Sequence, residues 1–371
     1  MLDKLNLTVT YSRGARAIKN SETGQVPGEK PDIGRRKKEH IEICLHEDVE
    51  GRGEGTGFDR YRFRHLALPE VNFNGIDTST QFLNRKLRVP FMVSSMTGGT
   101  DEAGRINVRL AEAAERKGWA MGLGSLRAAI ANPSTARSYQ VRQHAPNVPL
   151  LANLGAVQLN YGFGIEECRR AVQMTDADAL VLHLNGLQEL FQNEGDNNFG
   201  GLLNKIERLC REAEFPIGVK EVGWGIDGDT ASKLADAGVS FIDVAGAGGT
   251  SWIEVEKHRS ANHLTREAAK AFEDWGTPTA ECIAETRAAV PDAYVIGSGG
   301  LANGVDAAKA IALGADLASF GRSLLAPALH SAERLSELFD RLEFELKAAM
   351  FGIGAANMSQ LSRTERLLRM N

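Results

Sequence analysis

The chain has 371 residues, 25% of them charged, and a formal net charge of -5, so no global field draws it to nucleic acid or to an anionic membrane. Any anionic ligand must therefore meet a local cluster of cations. Cys44, Cys168, Cys210 and Cys282 form no CxxC pair and follow no secretory leader, which argues against a disulfide framework or a zinc site; no apolar stretch nears the roughly 18 residues of a membrane span, so a soluble cytoplasmic protein is expected.

In chain order, residues 1–34 read as a flexible tail, because residues 12–34 are rich in Gly, Lys, Ser and Pro and poor in large apolar groups. Residues 35–371 read as one domain. The glycine-dense run Gly51–Gly57 (GRGEGTG) has the composition of a flexible loop that orders over a ligand. From Arg88 onward, short apolar runs ending in glycine or polar residues alternate with helical stretches. The runs begin at Val89, Trp119, Val148, Asp178, Phe215, Ser240, Ala293 and Ala315. Near-continuous apolar runs mean strands buried on both faces, hence parallel strands with helical crossovers. Eight βα units in succession predict a closed (β/α)8 TIM barrel of the α/β class. Helices are predicted over Asp227–Ala237, capped by Asp227 and closed by Gly238, and over Gly304–Leu313, closed by Gly314. Leu335, Leu338, Phe339, Leu342 and Leu346 recur at helical spacing and predict an amphipathic outer helix over His330–Met350. The connections Leu187–Asn197 and Ser251–Thr277 are longer than a barrel needs, and long loops after strand ends usually carry function.

Glycines and small polar residues concentrate at strand ends. The seventh run ends in Gly297-Ser298-Gly299-Gly300 and the eighth in Gly321-Arg322-Ser323, the two adjacent loops where barrels most often bind a phosphate through backbone N–H groups. The bland alternative is a pair of tight turns that need glycine. Lys220, near the end of the fifth run, is expected to point into the barrel mouth, where a cation stabilises negative charge on the N1/O2 side of a reduced flavin. Asn153 and Thr250 add hydrogen-bonding groups around the same axis.

Longer motifs then carry a resemblance. They are Arg36-Lys37-Lys38-Glu39-His40, Ser95-Met96-Thr97-Gly98-Gly99, Gly124-Ser125-Leu126-Arg127, Asn153 to Gln158 (NLGAVQ) and His183 to Glu189 (HLNGLQE). The pattern continues in Gln192 to Asp196, Lys220 to Gly223 and Gly246 to Thr250, and it resembles the type 2 isopentenyl-diphosphate isomerases. The resemblance runs from Arg35 to the end of the barrel. It implies FMN held by Ser95, Met96, Thr97, Ser125, Asn153, Lys220, Thr250, Ser298, Gly299, Gly300, Gly321 and Arg322. It implies a substrate diphosphate gripped by Arg36 and Lys37 with Ser125 and Arg127, and a pocket lined by His40, His183, Asn185 and the active-site glutamine, Gln188. Glu189 is implied as the Mg2+ ligand.

The reaction so implied is the interconversion of isopentenyl and dimethylallyl diphosphates, with reduced FMN as acid and base through N5 and no net electron transfer. NADPH would only bring FMN to its reduced state, and no Rossmann GxGxxG unit holds it tightly. A homo-oligomer, tetramer or octamer, is implied in the same way. Three other readings compete. An FMN-dependent 2-hydroxy-acid oxidoreductase would want a His base and a carboxylate-binding Arg where this chain has GGTSW and GSGGL. An IMP-dehydrogenase-like barrel needs a cysteine nucleophile in a strand-end loop, whereas Cys168, Cys210 and Cys282 fall in helical stretches. A non-catalytic phosphate-binding barrel would have no use for Arg36-Lys37 together with Gln188-Glu189.

Overall fold

Each of the eight apolar runs becomes a barrel strand in the computed structural model, which describes residues 33–370. The strands are Phe91–Val93, Ala120–Gly122, Leu150–Gly155, Ala179–His183, Ile217–Lys220, Phe241–Asp243, Tyr294–Gly297 and Leu317–Phe320. They pair in parallel in chain order, and the eighth closes on the first through Ala318 opposite Phe91. Side chains fill the interior: Met92, Ala120, Leu151, Ala179, Val181, Phe241, Ile296 and Leu317 form one buried cluster. A hairpin of Thr80–Phe82 and Arg85–Leu87 leads into the first strand and joins that cluster. Phe82 lies 4.8 Å from Tyr294 and 5.3 Å from Phe241, ring to ring. The hairpin thus stops the mouth at the strand N-termini, and only the C-terminal mouth is left for a ligand.

The helices obey their expected caps. Asp227 accepts the Thr230 amide at 2.7 Å to open Gly228–Asp236. Gly314, at φ 121°, ends Gly304–Leu313. The outer helix runs over Ala332–Ile353, opened by Ser331, and buries Leu335, Phe339, Leu342 and Leu346. Phe339 stacks on Trp119 at 3.9 Å, both fully buried, and this contact ties the last helix to the second barrel unit. An antiparallel pair, Tyr61–Phe63 with Leu367–Arg369, joins the C-terminal end of the described chain to the segment that precedes the barrel.

Three expectations need correction. The tail reading falls on residues outside the description except for Ile33 and Gly34, which open a helix, Ile33–His46. Its exposed face carries the i,i+4 pairs Arg35–Glu39 and Lys38–Glu42, which favour helix, while Ile41 packs into the core. The two long connections are not loops throughout: Gly186–Phe191 is helical in one, and Trp252–Arg259 and His263–Ala269 in the other. The Gly51–Gly57 run is a strap with fixed backbone partners. Gly51 donates to Gly249 at 3.3 Å, Arg52 to Glu273 at 2.7 Å, and the Thr56 carbonyl accepts from Ala280 at 2.9 Å.

Replacing Phe339 by Ala removes one partner of the stacked pair and leaves a cavity beneath the last helix. Stability should fall by about 3 to 5 kcal/mol in urea unfolding followed by far-UV circular dichroism.

Candidate functional site

A cavity of about 530 Å³ opens at the C-terminal mouth, and every residue singled out from the sequence lines it. The first strand end supplies Ser95, Met96 and Thr97; the second, Ser125 and Arg127; the third, Asn153. The fourth supplies His183, Asn185, Gln188 and Glu189, and the fifth and sixth supply Lys220 and Thr250. Ser298, Gly299 and Gly300 follow the seventh, and Gly321 and Arg322 the eighth. Arg36, Lys37 and His40 arrive from the N-terminal helix, where spacing puts Arg36 and His40 on one face.

The side formed by the last two strands is a cradle of backbone. Gly299 and Gly300 have φ of 106° and 80°, and a Cβ on Gly299 would sit 2.1 Å from the Gly246 carbonyl. Thr279 Oγ1 locks the turn by donating to the Gly299 carbonyl at 2.6 Å. Arg322 stands beside it and pairs with the Glu50 carboxylate. Ser95 Oγ, Thr97 Oγ1 and Ser319 Oγ are buried on the cavity wall without a hydrogen-bond partner. Buried hydroxyls left so are costly, and a polar ligand against this wall would satisfy them. Volume, glycine cradle and orphaned hydroxyls together fit a flavin mononucleotide.

The opposite side concentrates positive charge. Burial, with the Arg36 guanidinium beside it, pushes the Lys37 ammonium down to about 8. Arg36 is itself lowered, first by burial and then by Arg127. His183 is pushed down to about 3 by burial and then by Lys220, Lys37, Arg127 and Arg36, so its imidazole is neutral at physiological pH. Its Nδ1 donates to Asn153 Oδ1 at 2.8 Å, which fixes the tautomer. His40 meets Glu256 at 2.9 Å; burial lowers its pKa, and the Glu256 carboxylate opposes that shift. Arg259 pairs with the same Glu256 and, at 3.1 Å, with Glu39 on the N-terminal helix, so the helix is docked by charge.

Glu189 is buried, forms no salt bridge among the described residues, and is held by polar neighbours. Asn185 donates to Oε1 at 2.8 Å; Gln192 Nε2 and the Asp196 amide donate to Oε2 at 3.2 and 2.8 Å. Gly195 is required here, since a Cβ would lie 1.7 Å from the Glu189 carbonyl. Asn185 also donates to Gln188 Oε1 at 3.3 Å, leaving its own Oδ1 buried without a partner. No group of three or more His, Cys, Asp or Glu side chains capable of holding a metal occurs among the described residues. A single carboxylate beside an orphaned amide oxygen still fits a hard cation that keeps most of its waters, such as Mg2+.

Sequence reasoning did not assign Gln158, Gln192, Asp196, Trp252, Glu256 or Arg259 to the site. Asp196 accepts from Gln158 at 2.9 Å and pairs with Arg127 at 2.7 Å, linking the second, third and fourth strand ends. Gln158, Gln192 and Asp196 lay within the motifs quoted above, but no spacing rule foretells pairs formed between strand ends.

Because the folded pKa of Lys37 lies below its usual 10.5, its burial penalty is fully present below pH 8 and is relieved as pH rises from about 8 towards 10.5. Lys37→Met should therefore stabilise the protein by on the order of 1 to 3 kcal/mol at pH 7. Urea unfolding at pH 7 and pH 10 checks this: the gain should shrink at the higher pH.

The family profile described as FMN-dependent dehydrogenase matches residues 33–152 and 166–368. The chain is 52% identical over 335 residues to an isopentenyl-diphosphate delta-isomerase of Oceanobacillus iheyensis, covering 90% of this chain and 96% of the relative. It is 51% identical to one from Nostoc sp., with the same coverage, and 47% identical to one from Rickettsia bellii, covering 91% of this chain and 98% of the relative. Among solved structures, a mandelate oxidase with (S)-2-phenylpropionate aligns at a TM-score of 0.62 and 19% identity, covering 91% of this chain and 96% of that one. A flavocytochrome b2 mutant with pyruvate bound aligns at 0.64 and 18%, covering 89% and 82%. At that identity the structural likeness concerns the fold alone.

Proposed function

The chain belongs to the FMN-dependent dehydrogenase family and, within it, to the type 2 isopentenyl-diphosphate isomerases, and on that premise we propose how its cavity divides the work of the reaction. The enzyme interconverts isopentenyl and dimethylallyl diphosphates. The observation that carries the proposed division is the presence of two anion-holding poles on different elements of one cavity: the Gly299-Gly300 cradle with Arg322, and the Arg36, Lys37 and Arg127 cluster. One phosphate group per pole accounts for both; a flavin phosphate alone does not.

In this reading the first pole takes the FMN phosphate through backbone N–H groups, and Ser95, Met96, Thr97, Ser125, Asn153 and Thr250 contact the rest of the cofactor. Lys220 faces its N1/O2 side. When bound and reduced, FMN supplies the acid and base for moving a proton at an allylic unit, chemistry that no unaided carboxyl group does readily at an unactivated alkene. Arg36, Lys37 and Arg127 hold the substrate diphosphate, with fixed forks and a point cation suited to its oxygens. Glu189 and the Asn185 amide oxygen would hold Mg2+ against the same diphosphate. Gln188, fixed by Asn185, stands where the hydrocarbon end is anchored. His183 is neutral and gives a ring face and a hydrogen bond, not a proton, at neutral pH. The gain comes from orientation: one end of a small, flexible substrate is clamped so that its double bond meets the cofactor at one place. NADPH as the reductant, and assembly as a homo-oligomer, belong to the proposal.

The alternative of an FMN-dependent 2-hydroxy-acid oxidoreductase is disfavoured by the relatives, which carry the isomerase name at about half identity over nine tenths of the chain.

The test is an anaerobic incubation with isopentenyl diphosphate, FMN, Mg2+ and NADPH, with dimethylallyl diphosphate and consumed NADPH both quantified. Many products per NADPH are expected; flavin reduction with no product would overturn the proposed cycle. Glu189→Gln should lower kcat/KM about 100-fold, since losing even a partner that orients a metal ligand costs about 10 to 100-fold. FMN titration of that variant should match the parent within a few fold, and loss of FMN would show that the two poles are not separate.

A further inference from the structure

One buried carboxyl group has no part in the roles above. Asp243 ends the sixth strand, is 1% exposed, and stands in register with Lys220 on the fifth. Asp243 does not line the cavity, but Lys220 and Ser298 do. Ser298 Oγ donates to Asp243 Oδ1, while Oδ2 has no hydrogen-bond partner. Burial pushes this carboxyl up, and the Lys220 ammonium is the largest influence drawing it back down.

Neither residue makes a salt bridge among the described residues; Lys220 Nζ donates to the Glu221 carbonyl. The Glu221 carboxylate is the other acid near Lys220, and its Oε2 is occupied by the amides of Val222, Gly223 and Trp224 at 2.7, 2.7 and 2.6 Å. The remaining charged groups that bear on this corner are Arg36, Lys37 and Arg127, all cationic, around a neutral His183. Lys220, with only 7% exposure, lies in the same cationic cavity, and Asp243 is the carboxylate level with it on the neighbouring strand. A buried charge persists only where an opposite charge or directed hydrogen bonds compensate for lost water.

We propose that Asp243 is a positioning residue that holds the Lys220 side chain aimed at the cofactor, so that the site's preference for reduced over oxidised flavin runs through this pair. The inference rests on the reading that Lys220 faces the flavin N1/O2 side. Asp243 touches neither substrate nor cofactor; its influence passes through Lys220, with Ser298 fixing the carboxylate.

The experiment is a double-mutant cycle on the full chain, read by cofactor affinity and not by turnover. FMN dissociation constants are measured anaerobically for the oxidised and the dithionite-reduced cofactor, in the parent, Lys220→Met, Asp243→Asn and the double variant. The ratio of oxidised to reduced dissociation constants should fall about tenfold in each single variant, which for a two-electron couple is about 30 mV in midpoint potential. The double variant should fall no further than Lys220→Met alone. Additive losses would mean that Asp243 acts independently of Lys220, and a rise in the ratio with Asp243→Asn would mean that its charge acts directly against the flavin; either overturns the proposal. An unchanged ratio in Lys220→Met would instead remove the underlying reading of Lys220, and the proposal with it. Should Asp243→Asn not fold, Asp243→Ser removes the charge with a smaller side chain and carries the same expectations.

Discussion

Closure of the barrel is the constraint from which the rest follows. Eight parallel strands pair in a ring, their interior fills with side chains, and the Thr80–Leu87 hairpin stops the end at which the strands begin. Every strand then delivers its last residues to one mouth, so that residues as distant in sequence as Ser95 and Arg322 share a cavity. The polar groups at this mouth cannot pair within the sheet, because the strands end beneath them. Their unsatisfied hydroxyls and amides are the direct consequence of ending eight strands together.

A second consequence is electrostatic. Arg36, Lys37, Arg127, Lys220 and Arg322 gather in one partly enclosed space, and Lys37 and His183, depressed first by burial, are lowered further by the cations beside them. Carboxylates are distributed to offset it. Asp196 meets Arg127, Glu50 meets Arg322, and Glu256 anchors His40 and Arg259. Two phosphate-bearing ligands would neutralise most of what remains, which is why a cavity of this charge suits a diphosphate beside a flavin phosphate.

The same architecture serves different chemistry in mandelate oxidases and flavocytochrome b2, to which this chain is only 18 to 19% identical. In this chain the sixth strand is followed by Gly-Gly-Thr-Ser-Trp and a helix whose Glu256 turns to the N-terminal helix. Two cations of the cavity, Arg36 and Lys37, thus come from a helix outside the barrel strands, docked by ion pairs, while Arg127, Lys220 and Arg322 come from the strand ends themselves. A shared fold does not set the reaction; the side chains it carries at its mouth do.

The barrel, its eight strands and the helix caps at Asp227, Gly238 and Gly314 were legible because they depend on local rules: apolar period, turn glycines and capping side chains. At the strand ends, Asn153, Lys220, Thr250 and the glycines of the seventh and eighth loops were legible from local pattern, whereas Ser95, Met96, Thr97, Ser125, Arg127, His183, Asn185, Gln188 and Glu189 were legible only through the family resemblance. The helix Ile33–His46 was not, because a run of Arg, Lys and Glu with few apolar residues looks like a solvated tail until a cationic face has a cavity to enter and Glu256 has a partner. Nor was the Gly51–Gly57 strap, whose order comes from backbone bonds to Gly249, Glu273 and Ala280, more than 190 residues away. Sequence alone determined the eight strands, the barrel they form and the helix caps, since these follow from neighbours in the chain. Tertiary structure decided which carboxylate answers which cation, which hydroxyls stay unpaired and that Asp243 stands level with Lys220, because those pairings are set by strand register and barrel closure, and neither is written in any local spacing.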